Sequence, residues 1–395
     1  MNVFYIPSWY PSDENPIYGT FVKEQIEMLA HENPNWNLGV SLWGQGRPSQ
    51  MLWVKDHVLN LRKILRPKSA SSSFSNENIT HYCYPLLSWT RKIFGGNLKG
   101  LIRANDYNYL QFEKKVGNID IIHAQATYPA ALVAQALSEK YGIPYVVSIR
   151  MSPFPFDEFL TKQGKLKALI NEPLQKADAL IATSHSLKNR MESFGLSKVH
   201  VIHNPVDTEF FQPSDYKPNE LTILTVGRLE HQKGVDLLID AIAFLGDEFI
   251  GKVRIGGDGS MKEKYQQLAK MKDVVNKIEW LNELSREQVR DEMQLCSFYV
   301  LPSRHETFGN VLLEAIASGK PVVATRCGGS TEIVTDKVGL FCENEDVEDL
   351  AEKIRIMVRN HENYSITTLR EHTNDKFDSA VFSKNIEGLY LSLKS

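Results

Sequence analysis

The sequence predicts an α/β fold in two domains, each a parallel, doubly wound sheet. Two observations carry this expectation. Short apolar runs rich in Val, Ile and Tyr alternate with stretches of helical spacing along most of the chain, as βαβ units require. At 395 residues the chain is also longer than one ordinary core organises, so two units of roughly 150–200 residues are expected. Pro205 and Pro213 punctuate a linker between two such series. The first domain is therefore placed at 1–210, the second at 211–376, and a terminal helix at 377–395.

In chain order, Val3–Ile6 reads as the opening strand, followed by a loop rich in turn residues and aromatics that ends at Gly19. Thr20 can cap a helix from Phe21 to about Ala30, whose apolar positions follow helical spacing. Gly19 and Thr20 would then offer backbone N–H groups to a phosphate. Asn37–Trp43 reads as a second strand. Residues 44–105 hold a Ser-rich tract and a short strand pattern at Ile79–Cys83, without βαβ rhythm, and read as an irregular insertion. The rhythm resumes with a strand at Asp120–His123, a helix at Tyr128–Tyr141, strands at Tyr145–Ile149 and Ala179–Ala182, and a helix near Ser186–Phe194. His123 and Arg150 stand at strand ends. A strand-end histidine is commonly a buried structural one, and a strand-end arginine is as often a surface salt bridge as a ligand group. Arginine stays protonated near neutral pH, so Arg150 could bind an oxygen but not serve as a base.

The second series opens with the strand Leu221–Val226 and the loop Gly227-Arg-Leu-Glu-His-Gln-Lys-Gly234, before a helix at Val235–Phe244. Arg228 and Lys233 thereby fall at the carboxyl edge of the new sheet. Val253-Arg-Ile-Gly-Gly-Asp-Gly259 is a strand and a glycine turn that lacks dinucleotide-loop spacing. The segment Ile278–Leu281 precedes a helix at Glu287–Cys296. Ser297–Leu301 is a buried strand that runs into Pro302-Ser-Arg-His-Glu-Thr-Phe-Gly-Asn-Val-Leu-Leu-Glu314. A helix starts near Asn310 and is stopped by Gly319 and Pro321. Strand, loop and helix at the carboxyl end of a parallel sheet form the usual ligand position of α/β proteins. The free N–H groups of Gly309 and Asn310 make an anion seat, with Glu306 just outside it and Glu314 one turn into the helix. A bare pair of glutamates eight apart is most often solvated charge; an anion seat flanked by both suits a nucleotide-sugar, diphosphate on the helix and hydroxyls on the acids.

Composition is ordinary for a soluble enzyme, with 42% hydrophobic and 24% charged residues. Cys83, Cys296, Cys327 and Cys342 lack metal-ligand spacing and read as reduced structural thiols. The first residues have no basic leader pattern, and no stretch reaches the ~18–20 apolar residues of a membrane span. A cytoplasmic location is expected, and nucleic acid is not an expected partner. Residues 47–103 hold ten Lys and Arg against only Asp56 and Glu77, a candidate surface for an anionic acceptor or the inner face of a membrane. Within it, Val54–Lys68 and the segment from Arg91 to Arg103 mix apolar and basic residues as interfacial helices do. An apolar stripe facing the core, with ordinary solvated charges, is the competing explanation.

The Pro302–Glu314 stretch closely resembles the E-x7-E signature of retaining glycosyltransferases of the GT-B fold, family 4 (glycosyl transferases group 1). The resemblance includes the Pro-Ser before it and the Phe-Gly between the acids, and continues through Ser318–Thr325, Gly328-Gly329 and Glu332. Gly227–Gly234 is similar to the family's Gly-Arg-x5-Lys-Gly pattern with one residue of spacing allowed. His123-Ala-Gln is similar to its His-Ala-x pattern, and Val201–Asp207 to its interdomain segment. The chain departs from the pattern at Thr307, which stands for a glycine, at Arg150, which stands for a histidine, and at the Gly19 loop, which carries one glycine for two.

The resemblance implies two Rossmann-like domains facing across a cleft, with the last helix crossing back onto the first. It implies a donor site of Gly19, Arg228, Lys233, Gly257, Leu281, Glu306, Phe308, Gly309, Asn310, Val311 and Glu314. The acceptor side would hold Gly19, Thr20, His123 and Arg150. Arg228 and Lys233 would meet the charge on the leaving diphosphate, Glu306 would orient the transferred sugar, and Glu314 would bind the ribose, with Arg150 beside the reacting centre. The reaction implied is transfer, with retention, from a UDP- or GDP-linked sugar to a glycan or lipid-linked acceptor, in surface polysaccharide or glycoconjugate biosynthesis. No D-x-D motif occurs in the chain, so no metal and no further cofactor is expected. Two rivals stay open: a GT-B epimerase acting on a UDP-sugar, and a non-catalytic nucleotide-sugar-binding protein.

Overall fold

The computed structural model describes residues 1–52, 60, 71–89, 96–216 and 219–394. The expected segment at 54–68 apart from residue 60, and Arg91, Lys92, Ile93 and Phe94 of the second, lie outside the described residues. An eight-stranded sheet is built from β1 (Asn2–Pro7), β2 (Asn37–Leu42), β4 (Ser72–Asn76), β5 (Ile79–Cys83), β7 (Ile121–Gln125), β8 (Tyr145–Ile149), β9 (Ala179–Ala182) and β10 (Val199–Val201). Its order is β10-β9-β8-β7-β1-β2-β5-β4, parallel except at the β4 edge. The short strands β3 (Met51–Leu52) and β6 (Ser88–Trp89) pair separately. The second sheet has six parallel strands: β11 (Thr222–Val226), β12 (Lys252–Gly256), β13 (Ile278–Asn282), β14 (Phe298–Leu301), β15 (Val322–Thr325) and β16 (Gly339–Cys342). Their order is β13-β12-β11-β14-β15-β16.

Central strands covered on both faces should read as largely apolar runs; β1 and β9 do, while β7 and β8 carry His123, Gln125 and Ser148 as buried polar exceptions. The period of two sends Phe4 and Ile6 to one core and Val3 and Tyr5 to the other. The first core is closed by the helices Leu98–Val116, Leu132–Tyr141 and Ala168–Gln175. The second is closed by Thr20–Glu32 and by Ser379–Leu393, which brings Phe382, Ile386, Leu389 and Tyr390 back from the far end of the chain. The terminal helix therefore crosses onto the first sheet, as expected.

Residues 44–105 are more regular than their composition suggests. Ile79–Cys83 joins the main sheet beside β2, and the Ser-rich tract becomes β4, an exposed antiparallel edge. Serine-rich sequence carries no apolar alternation, so only pairing with β5 makes this strand. The 19-residue helix Leu98–Val116 also begins inside the expected insertion, capped by the Asn97 side chain. On it Leu101 is buried in the core while Lys99 and Arg103 face solvent, so one apolar residue assigned to an interfacial stripe is used by packing.

Candidate active site

Loops at the carboxyl ends of the two sheets meet across the molecule. After β14 the chain passes through Pro302–Gly309 and enters the helix Asn310–Ala317 with Gly309 in the left-handed region at φ 102°. The first recorded turn closes from Leu312 N–H to Gly309 O at 2.9 Å. The N–H groups of Gly309, Asn310 and Val311 find no acceptor among the described residues, and with the positive end of the helix they form an anion seat.

Lys233 meets the Pro302–Gly309 loop from the one that follows β11. Gly234, at φ 65°, lies so close to the facing loop that a Cβ would fall 1.9 Å from the Pro302 carbonyl oxygen. That close approach lets Lys233 Nζ donate to Glu306 Oε1 at 2.5 Å, where Ser303 Oγ also donates at 2.9 Å. Glu306 is only 9% exposed, and a carboxylate this buried needs such partners. Arg228 is exposed on the same loop as Lys233; its carbonyl accepts from Glu230 N–H at 2.8 Å, and its guanidinium makes no hydrogen bond or ion pair among the described residues. Thr225, Gly227, Arg228, Lys233 and Ser303 line one small hollow there. Lys233 thus shares that hollow with Arg228 and pairs with Glu306, three residues before the open helix start at Gly309.

Glu314 is half-buried, and its carboxyl is walled in. Burial, and then the nearby Glu24 carboxylate, push it up to about 7, while Arg286 pulls the other way. Phe308 is buried and Val311 half-buried beside the seat. Gly257 follows β12 and donates to Asn282 O at 2.6 Å; Leu281 is half-buried one residue before that carbonyl.

The acceptor-side residues do not gather as the resemblance implies. Gly19 is the helix N-cap at φ 78°, pressed against the backbone of Trp9 and Tyr10, where a Cβ would meet the Trp9 carbonyl carbon at 2.5 Å. Thr20 is therefore the first helical residue, not the cap. His123 has no exposed surface: its ring nitrogens meet Tyr390 Oη at 2.5 Å and Ser148 Oγ at 2.7 Å, and Tyr390 meets Tyr5 Oη at 3.0 Å. Burial holds it neutral, down to about 3, with the Arg150 charge adding to the effect. It joins the terminal helix to the first sheet, away from the cleft.

Arg150 occupies the joint between the domains. Its Nε donates to Gln125 Oε1 at 3.3 Å and one terminal nitrogen donates to Asn204 Oδ1, while the other is buried without a partner among the described residues. Desolvation lowers it to about 10. Asn204 Nδ2 then donates to Asn310 Oδ1 at 2.8 Å, so a polar chain runs from β8 to the donor-side helix. Three further bonds cross the cleft: Thr307 Oγ1 to Met151 O at 3.0 Å, Ser184 Oγ to Thr307 O at 2.7 Å, and Gln232 Nε2 to Ser152 Oγ at 2.7 Å. Asn204, Ser184 and Gln232 were invisible as site residues, because nothing local marks a polar side chain that meets its partner across domains. Asn204 had one signal, a polar residue in the segment His203-Asn-Pro between the two series.

Two facing sheets of this kind, with a cation pair and an anion seat at the carboxyl edge of the second, define a GT-B transferase architecture. The sequence profile of glycosyl transferases group 1 matches residues 206–370, and that of glycosyltransferase family 4 matches residues 76–210. An uncharacterized glycosyltransferase of Methanocaldococcus jannaschii is 33% identical over 276 residues, which is 67% of this chain and 75% of that one. The phosphatidylinositol N-acetylglucosaminyltransferase gpi3 subunit of Schizosaccharomyces pombe is 33% identical over 183 residues, 45% of this chain and 40% of that one. Among solved structures, sucrose-phosphate synthase of Thermosynechococcus elongatus superposes with a TM-score of 0.73 at 16% identity, covering 100% and 99% of the two chains. Anabaena HepE in complex with UDP gives 0.70 at 18%, covering 99% and 100%. The chain belongs to the group 1 glycosyltransferases.

Proposed function

We propose that this glycosyltransferase moves a sugar from a UDP- or GDP-linked donor to a glycan or lipid-linked acceptor, with retention and without a catalytic metal. The observation that carries the reading is the Lys233–Glu306 pair beside the open N–H groups of Gly309–Val311. A diphosphate would sit on the helix start, with Lys233 and Arg228 meeting the charge that develops as its bond to the anomeric carbon breaks. Glu306, released in part from Lys233, would accept from the sugar hydroxyls, and Glu314 would bind the ribose. The acceptor oxygen would attack from the face the diphosphate leaves, its proton passing to a departing phosphate oxygen. Arg150 acts in this scheme through Asn204 and Asn310, as a positioning residue.

The acceptor class rests on the first domain. A hollow of about 620 Å³ opens beside the Gly19 loop; Tyr10, Phe74 and His81 line it together with Lys23 and Arg47, which pair with Glu27 and Asp13 of the same walls, a mixture suited to a polyhydroxylated molecule. The basic excess of residues 47–103 favours an acceptor held at an anionic membrane, and the gpi3 relative's name points to a lipid-linked one. No helix among the described residues is long and apolar enough to cross a membrane. A thermal-shift panel of UDP-, GDP-, ADP- and dTDP-sugars tests the donor, since ligand at 100 times its Kd adds about 2.7 kcal/mol. Product anomeric configuration tests retention. Binding to anionic vesicles at low salt, lost on reversing Arg62, Lys63 and Arg66 to glutamate, tests the surface; failure of the unaltered protein to bind would leave a soluble acceptor.

A further inference from the structure

Away from the donor seat, three metal-ligating side chains from three separate elements converge where the domains touch. His185 opens the helix His185–Ser193 of the first domain, His203 lies in the linker, and Glu332 belongs to the short helix Ser330–Ile333 of the second. Glu332 Oε2 lies 2.8 Å from His185 Nδ1 and 3.1 Å from His203 Nε2, and the three donor atoms lie within 4.8 Å of one another.

The surroundings are those of a prepared ligand set. Glu332 Oε1 is fixed by the His185 backbone N–H at 2.7 Å, leaving Oε2 directed at the two imidazoles. A ligating carboxylate with its second oxygen hydrogen-bonded is the arrangement metal sites use. The His203 ring is held between Phe308, 5.3 Å away, and Phe377, 5.6 Å away. His185 is exposed, its side chain at 69%, which leaves an entry path and room for a water as fourth ligand.

We propose that His185, His203 and Glu332 bind one Zn²⁺-class divalent ion that fastens the two domains together. Two imidazoles and one carboxylate select borderline first-row ions over Mg²⁺ or Ca²⁺, which take oxygen ligands. Zinc–nitrogen bonds near 2.0–2.1 Å require the two ring nitrogens to draw together, which rotation of the exposed His185 supplies. Because the ligands come from both domains, the site is complete only when the cleft is closed, and the ion and closure stabilise each other reciprocally. Its role is structural: none of the three side chains belongs to the donor seat.

Chelator-stripped full-length protein titrated with Zn²⁺ alone should bind one ion, raise its melting temperature and show a smaller radius of gyration by small-angle scattering. Co²⁺ should give a four-coordinate absorption spectrum without sulfur charge transfer. His185→Ala, at an exposed position that the fold does not need, should weaken binding at least about tenfold and abolish the thermal and scattering responses; His203→Ala should do the same. Lack of stoichiometric Zn²⁺ binding by the unaltered protein, a thiolate-type cobalt spectrum, or full binding by both variants would each overturn the proposal.

Discussion

At the residue scale, the site is governed by what the second sheet does to a few charges. Arg228 is exposed and held by loop geometry, so Arg228→Ala should leave the fold intact, whereas Lys233→Ala also removes a partner of the buried Glu306 carboxylate and should lower the melting temperature, which is read separately from turnover. Each loss should lower turnover by about 10²–10³-fold, the effect of one preorganised electrostatic donor; near-normal rates in both variants would remove them from the mechanism. Glu314 gives a pH signature. Burial raises its carboxyl from the ordinary 4.5 to about 7, so between those values the folded chain holds a proton that the unfolded chain has lost. Stability contributed by this group therefore falls as pH rises through that window and is level beyond it. Glu314→Gln should be more stable than the unaltered protein above pH 7 by about 1–3 kcal/mol, the shift being discounted for partial solvent access, and no different below pH 4.5. Donor affinity should rise through pH 7 only in the unaltered protein, if ribose binds the ionised form. Equal profiles would contradict this role.

At the scale of elements, the terminal helix Ser379–Leu393 does more than cover apolar surface. Tyr390 links His123 and Tyr5 inside the first domain, so the last helix and the first strand share one buried polar network. Tyr390→Phe would leave both partners unsatisfied, at about 1–3 kcal/mol, measurable as a lower urea midpoint with unchanged slope. In the helix Asn310–Ala317 the first N–H groups are left open among the described residues, available to an anionic ligand.

At the scale of the whole molecule, closure is written in polar bonds. Thr307, one of the departures from the family pattern, donates to the carbonyl of Met151, the residue after another departure, Arg150. Thr307→Gly should loosen the closed state, raising the donor KM while kcat changes less, and scattering should show a larger mean radius. Chelation supplies a further check. With the diphosphate charge met by Arg228, Lys233 and the helix start, EDTA should leave kcat within about threefold. An ion at His185, His203 and Glu332 would act on closure, so its removal should appear in stability first.

The sequence alone determined the alternation that builds two parallel sheets, and the loops that reach their carboxyl edges. Those features are local: period-two strands, helical stripes, and glycines where backbones crowd, as at Gly234. It also marked Arg228, Lys233, Glu306 and Glu314, because they lie in the loops after β11 and β14 or in the helix that the second of these loops enters. It misplaced His123 at the acceptor side, since a strand-end histidine looks the same whether a cleft or a distant helix covers it. Only the tertiary structure decided that Tyr390 covers it, that a serine tract becomes a strand by pairing with β5, and that Arg150 spends its charge on Asn204. Each depends on a partner far away in the chain, and no local pattern encodes a contact between residues that only folding brings together.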